Sequence, residues 1–106
     1  MEKKEQDRIV RRYYQYLKLE KGCSANTIDA YMRDLDKFLN FIKEEGKDFM
    51  TAQLEDMHNF SALMTDIGIN PVSLSRILSG IRSFYHFLVL GDIIDANPTE
   101  LLEFPK

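Results

Sequence analysis

The helical spacing of apolar residues most strongly constrains what this chain can fold into. Between Asn26 and Glu45, apolar side chains recur every three or four residues, at Ile28, Tyr31, Leu35, Phe38, Leu39 and Ile42. This spacing puts them on one side of an α-helix, whereas a half-buried strand would alternate every second residue. A similar stripe runs from Ser73 to Leu90, through Leu74, Ile77, Leu78, Ile81, Phe84, Tyr85 and Leu88. Both stretches are therefore predicted to be long amphipathic helices.

Three further helical segments are predicted around these two. One runs from about Gln6 to Glu20 and another from about Leu54 to Asp66, and a glycine follows each of the four long segments. A short fifth helix is predicted after Asn97, which would be its N-cap, with Pro98 at the first helical position and the side chain of Glu100 reaching back. No stretch predicts a strand, so the expected fold class is an all-α bundle of four to five helices.

Composition limits the kinds of protein this can be. The chain has 106 residues, the size of one domain, and 44% of them are hydrophobic. Its only cysteine is Cys23, which excludes an internal disulfide and a thiolate-rich zinc site. The charged N-terminus does not resemble a signal peptide, and every apolar run is too short to cross a bilayer. We therefore expect a cytoplasmic protein with no membrane partner.

The charge distribution bears on nucleic-acid binding in two opposite ways. The net charge of -3 argues mildly against DNA as a partner, because DNA affinity comes largely from phosphate neutralisation. However, no acidic residue occurs from Ile67 through Gly91, and that window contains Arg76 and Arg82. The chain as a whole is weakly acidic, while one long helix is locally cationic.

The faces opposite the two apolar stripes carry the candidate binding residues. On the 26–45 helix, one narrow sector holds Asn26, Ala30, Arg33 and Lys37. On the 73–90 helix, the predicted outward face holds Ser75, Arg76, Ser79, Arg82, Ser83 and His86. Short hydroxyl side chains allow a helix to approach a groove closely, and arginine reaches phosphates or guanine edges. An ordinary solvated face of unusual composition is an equally good interpretation of this pattern.

Catalytic and metal-binding patterns are missing from the sequence. His58 and His86 fall on different predicted helices, with no ligand-spaced cluster around them. No Gly-rich phosphate loop and no Ser/His/Asp arrangement occurs. We expect no catalysis, no metal and no cofactor within these residues.

Three segments in register resemble one family. The first is the stretch from Ser24 to Leu35, similar to the "S-x-x-T-x-x-x-Y-x-x-D-L" signature that opens the core-binding domain of tyrosine recombinases. The second, from Leu74 to Leu88, resembles their later "R-x-L-S-x-x-R-x-F-x-x-F-L" helix, and Asn97-Pro98 with Pro105-Lys106 resembles their "N-P … P-K" tail. Together these segments span nearly the whole chain, and they are most similar to the XerC/XerD branch of these phage-integrase-like enzymes.

The resemblance implies a SAM-like orthogonal bundle that forms one half of a C-shaped clamp around a DNA recombination site. Its second and fourth helices would cross the major groove. The residues implied at or near double-stranded DNA are Asn26, Thr27, Tyr31, Arg33, Ser75, Arg76, Ser79, Arg82 and Ser83. Of these, Tyr31 also belongs to the apolar stripe, so it is expected at the edge of the core.

The resemblance also implies that the family's chemistry lies elsewhere. Its nucleophilic tyrosine and catalytic Arg, Lys and His belong to a C-terminal domain, so residues 1–106 would be a single non-catalytic domain of a longer recombinase. That enzyme would cleave one DNA strand at a time through a 3′-phosphotyrosyl intermediate, assembled with other recombinase protomers. The isolated domain is expected to be a monomer. Chromosome-dimer resolution and the integration or excision of a mobile element both remain open.

The alternative interpretation is a helical protein–protein interaction module. It predicts an exposed apolar patch, or a complementary pair of acidic and basic surfaces.

Overall fold

Four α-helices make up the fold in a computed structural model that describes residues 1–105. They are α1 (Lys3–Leu19), α2 (Ala25–Glu44), α3 (Leu54–Asp66) and α4 (Pro71–Leu90). No strand occurs in this range, so the all-α prediction is confirmed. None of the four helices is long and apolar enough to span a membrane. Lys106, the last residue of the tail motif, lies outside the described residues.

Two side-chain caps define where the long helices begin. The Oγ of Ser24 accepts a hydrogen bond from the backbone N–H of Thr27 at 3.2 Å, at the start of α2. The Oδ1 of Asn70 accepts one from the N–H of Ser73 at 2.9 Å, at the start of α4. Each cap satisfies an N–H that has no partner within its helix. Pro71 follows as the first residue of α4, where its missing N–H costs nothing.

The prediction of a fifth helix after Asn97 is wrong. Residues 98–101 form turns instead, and the Oδ1 of Asn97 accepts hydrogen bonds from the N–H (2.8 Å) and the hydroxyl (2.6 Å) of Thr99. The side chain of Asn97 therefore forms a turn with Thr99, two residues later. A helix N-cap would instead accept from the backbone N–H three residues later. Glu100 is exposed, and among the described residues 95–105 Leu102 is the only buried apolar one, so the segment lacks the apolar stripe that would hold a helix against the core.

An aromatic cluster holds the helices together. Tyr13 of α1 packs edge-on against Phe84 of α4 (ring centroids 5.2 Å apart), and Phe84 packs in the same way against Phe49 in the α2–α3 connection (5.3 Å). The hydroxyl of Tyr85 donates to the carbonyl of Phe49 at 2.9 Å, and that of Tyr13 donates to the Oγ of Ser83 at 3.0 Å. These buried hydroxyls are therefore satisfied, as polar groups in a core must be.

The most extensive helix–helix contact joins α2 to α4. Gly80 is buried there beside the ring of Tyr31, and a Cβ on Gly80 would lie 3.7 Å from the nearest ring atom, an ordinary contact distance. One turn further along α2, Asp34 meets Arg76, which lies one turn earlier on α4. The contact therefore runs forward along α2 while it runs backward along α4, which brings the candidate faces of both helices next to each other.

After α4 the chain reverses direction and returns across that helix. Gly91 ends α4, and the next residue, Asp92, has φ 56°, a left-handed conformation that Asp tolerates better than most residues. Residues 99–105, here called the C-terminal strap, then lie over α4. Thr99 and Leu102 are its buried anchors.

Candidate nucleic-acid interface

On α2, the four predicted contact residues differ in how accessible they are. Asn26 and Arg33 are exposed, and neither pairs with a described carboxylate. Thr27 is half-buried, and its hydroxyl accepts a hydrogen bond from Ser24 at 2.9 Å as part of the helix cap. Tyr31 is half-buried against Gly80, as its place in the apolar stripe predicted. Asn26 and Arg33 are thus the α2 side chains most available to a ligand.

Near the start of α4, Arg76 is tied to α2 through a carboxylate. Its Nε and Nη2 donate to the two carboxylate oxygens of Asp34, each at 3.2 Å. Asp34 is buried, and Lys37 approaches the same carboxylate at 3.5 Å. Lys37 lies one turn beyond Arg33 on α2. Two positive side chains therefore contact one buried negative charge, and Arg33 lies beside them without an ion pair. Arg33, Lys37 and Arg76 are called the cationic cluster below.

The rest of the predicted α4 face is not fully outward, which corrects the sequence interpretation. Arg82 is half-buried, and its Nη2 donates to the carbonyl oxygens of Thr99 (3.1 Å) and Leu102 (2.7 Å). The hydroxyl of Ser75 donates to the carbonyl of Pro105 at 3.0 Å. Ser83 accepts its hydrogen bond from Tyr13. The strap covers Ser75 and Arg82 because it returns over α4, a path that helical periodicity does not encode.

Two predicted members of this face do remain accessible. His86 is exposed, and Ser79 is half-buried. Ser79 lies one turn beyond Arg76, in the direction of Arg82. The accessible part of the α4 face therefore adjoins the cationic cluster.

Sequence reasoning missed two residues that shape this surface. Asp34 is the shared partner of Arg76 and Lys37, and Phe104 lies with its ring centroid 4.2 Å from the guanidinium carbon of Arg82. A signal for Asp34 existed, because it falls between Tyr31 and Phe38 within the apolar stripe of α2. A buried carboxylate in that position needs a positive or hydrogen-bonding partner. Phe104 gave no such signal, since its contact depends on the turn after α4.

Metal chemistry finds no support in residues 1–105. No group of three or more His, Cys, Asp or Glu side chains converges on a point there.

Comparison with known proteins relates this surface to a family. The model of the phage integrase N-terminal SAM-like domain matches residues 10–91, which include both motif helices. The chain belongs to this family. The SAM-like integrase domain is all-α, as the four helices are. The strap lies outside the matched residues.

Individual relatives of this SAM-like integrase domain are tyrosine recombinases. It is 34% identical over 92% of its length to the tyrosine recombinase XerC of Pediococcus pentosaceus, and 38% identical over 91% to XerC of Leptospira interrogans. It is 36% identical over 92% to the tyrosine recombinase XerD of Staphylococcus aureus. The chain spans 31–34% of the length of these three relatives. No solved structure matches it.

Proposed function

We propose that residues 1–106 are the DNA-binding, non-catalytic N-terminal domain of a tyrosine recombinase and act as one half of its clamp on double-stranded DNA. The family and the names of the relatives support a role in recombination. The observation that carries the DNA-binding part is the cationic cluster. Arg76 and Lys37 contact one buried carboxylate where α2 meets α4, and exposed Arg33 lies one turn before Lys37 with no ion pair of its own.

The contacts of the cationic cluster suit a phosphate backbone. Arg76 is held in place by its two hydrogen bonds to Asp34, so little side-chain entropy is lost when it meets a phosphate. Arg33 has no ion pair that holds it away from the backbone of the DNA, and half-buried Ser79 adds a hydroxyl one turn beyond Arg76. Such contacts fix the position of a protein on DNA without reading its sequence.

The proposed contact set is Asn26, Thr27, Tyr31, Arg33, Ser75, Arg76, Ser79, Arg82 and Ser83. The first residues to contact DNA would be Asn26, Arg33, Arg76 and Ser79. Their side chains are accessible because no hydrogen bond ties them to the strap and the core does not cover them fully. We expect the domain alone to bind weakly, with a Kd above about 1 μM, and with a steep dependence on salt. The net charge of -3 opposes binding, and so does Asp29, which lies one turn before Arg33.

Fluorescence anisotropy with a labelled duplex of about 30 base pairs, roughly three helical turns, tests the proposal. The decisive variant is Arg33→Glu, because Arg33 has no ion pair to lose. We expect it to weaken binding about tenfold and to flatten the salt dependence between about 50 and about 200 mM.

The matched control is Arg11→Glu, which makes the same change of charge. Arg11 is exposed on α1, opposite the buried Ile9 and Tyr13 through which α1 faces the core. It should weaken binding much less than Arg33→Glu. Equal effects of the two variants, or no binding by the unmodified domain at any salt concentration, would contradict the proposal.

The protein-interaction alternative has one observation in its favour. Exposed Leu19 and Leu90, at the ends of α1 and α4, flank a surface depression lined also by Tyr16 and Phe87. Exposed apolar side chains grouped in this way are typical of a protein contact. Under that interpretation Leu90→Ser would abolish partner binding, whereas under the DNA interpretation it would leave the anisotropy titration unchanged.

A further inference from the structure

The C-terminal strap occupies hydrogen-bond donors of α4 that the proposed function assigns to DNA. Arg82 donates to two strap carbonyl oxygens, at 3.1 and 2.7 Å, and its guanidinium faces the ring of Phe104. Ser75 donates to a third strap carbonyl, that of Pro105, at 3.0 Å. In this conformation neither donor is free to reach a phosphate.

The chemistry of the strap parallels that of a DNA strand. Its carbonyl oxygens accept hydrogen bonds from Arg82 and Ser75, as the phosphate oxygens of DNA would. The ring of Phe104 presents its π-face to the guanidinium, as a nucleic-acid base can. Glu100 and Glu103 are exposed on the strap and add two negative charges beside α4, a helix with no acidic residue of its own. The strap and a nucleic acid are therefore alternative acidic partners for the same surface.

The strap does not provide a hydrogen-bond acceptor for every donor of Arg82. The Nε of Arg82 is buried and has no hydrogen-bond acceptor in the described chain. A guanidinium can donate from Nε and Nη together to the oxygens of one phosphate, which the strap carbonyls do not reproduce. The far end of the strap is also weakly held, since Phe104 and Pro105 are only half-buried while Thr99 and Leu102 are buried. Release from the Pro105 end is therefore the easier direction.

We propose that the strap is a self-inhibitory element that competes with DNA for the α4 face and opens when DNA binds. This inference rests on the proposed function. The apparent affinity then equals the intrinsic affinity multiplied by the fraction of molecules with the strap open. The expected weak binding of the isolated domain follows in part from this competition.

Hydrogen exchange on the unmodified chain provides the first test. The backbone N–H at position 102 donates to the carbonyl of Thr99 at 3.0 Å within the closed strap. Saturating the chain with the duplex should accelerate exchange of this amide, while amides in the middle of α2 stay protected. Unchanged or slower exchange at position 102 in the saturated complex would overturn the proposal.

Affinity measurements on Phe104→Ala and Leu102→Ala provide the second test. Both variants loosen the strap without changing the charge of the chain or removing a proposed DNA contact. If the strap is closed about nine-tenths of the time, release should tighten DNA binding by about tenfold. The matched control is Leu101→Ala, because Leu101 is an exposed strap residue and its loss should leave affinity unchanged.

The outcomes separate this inference from the proposed function. Phe104→Ala could speed up amide exchange at position 102 and still bind DNA with the affinity of the unmodified chain. That result would overturn the proposed competition between strap and DNA, but it would not contradict DNA binding itself. If Phe104→Ala unfolds, Leu102→Ala decides by the same comparison. Absence of DNA binding by the unmodified chain and by every variant would overturn both proposals.

Discussion

The guanidinium of Arg76 and the carboxylate of Asp34 join α4 to α2 through two hydrogen bonds of 3.2 Å each. The two side chains differ in exposure, 51% for Arg76 and 1% for Asp34. Removing Arg76 would therefore leave a buried negative charge with only Lys37 nearby, at 3.5 Å. We expect Arg76→Ala to lower the free energy of unfolding by about 1–3 kcal/mol, below the cost of breaking a fully buried pair because Arg76 is half-exposed.

Urea denaturation checks this expectation, with Asp34→Asn and the double variant completing a thermodynamic cycle. Once the carboxylate is neutral, loss of Arg76 should cost much less. Strictly additive effects of the two substitutions would show that the pair does not stabilise the α2–α4 contact.

Arg82 is expected to hold the strap to the fold. Its two charge-assisted hydrogen bonds and its contact with Phe104 tie the strap to α4. Arg82→Ala should therefore lower the free energy of unfolding by about 1–2 kcal/mol and accelerate amide exchange at position 102. Arg33→Ala removes an exposed arginine without such contacts and should change stability by less than about 0.5 kcal/mol. Indistinguishable stabilities of the two variants would contradict this role of Arg82.

Gly80 is a position where a larger residue should stabilise the protein. A Cβ there would lie 3.7 and 3.8 Å from ring atoms of Tyr31, which are ordinary contact distances. Because glycine in the middle of a helix costs conformational entropy, Gly80→Ala should raise the free energy of unfolding by about 0.5–1 kcal/mol. Thermal denaturation would detect this as a higher Tm.

The contrasting substitution is Gly68→Ala. Gly68 has open space around it but a φ of 97°, which side chains rarely adopt. Alanine there should lower stability by about 1 kcal/mol, because the backbone conformation and not the space is limiting. A lower Tm for Gly80→Ala would mean that Tyr31 cannot accommodate a methyl group.

The buried tyrosines predict a loss of stability at alkaline pH. Burial raises the pKa of the Tyr13 phenol, and it also raises the pKa of Tyr85. Above the ordinary pKa of about 10, the unfolded chain loses these protons while the folded protein keeps them. The unfolded state then binds fewer protons, so the free energy of unfolding falls as pH rises.

Chemical denaturation at a series of pH values measures this decline, which should begin near pH 10 and be shallower in Tyr85→Phe. That variant lacks one titrating phenol, although it also loses the hydrogen bond to Phe49. A stability that stays constant between about pH 9 and about pH 11 would contradict the prediction.

Local signals in the sequence predicted most of the helical structure. The start of α2 was predicted at Asn26, one residue after its first residue Ala25, and the glycines after the long segments marked their ends. The start of α1 was placed at Gln6 instead of Lys3, because the first turn is charged and carries no apolar pattern. The start of α4 was placed two residues late, at Ser73, because the helix begins at Pro71 after the cap Asn70 and before the apolar stripe.

The candidate site was less predictable because its contacts are distant in sequence. The helical sector of Arg33 and the edge position of Tyr31 followed from periodicity. The burial of Arg82 did not, because its partners Thr99 and Leu102 lie 17 and 20 residues further along the chain. The turn that places Thr99 and Leu102 next to Arg82 includes Asp92, whose left-handed backbone conformation is not predicted by any local sequence motif.

The aromatic cluster has a practical consequence for all of these measurements. The chain contains no tryptophan, so its near-ultraviolet circular dichroism arises from tyrosine and phenylalanine. Tyr13 and Tyr85 are buried in the core among phenylalanine rings, Tyr13 on α1 against α4 and Tyr85 on α4 against the α2–α3 connection. Loss of fixed packing would erase their near-ultraviolet signal while helical far-ultraviolet signal could persist. The protein therefore carries its own optical probe of tertiary order, and no label needs to be attached.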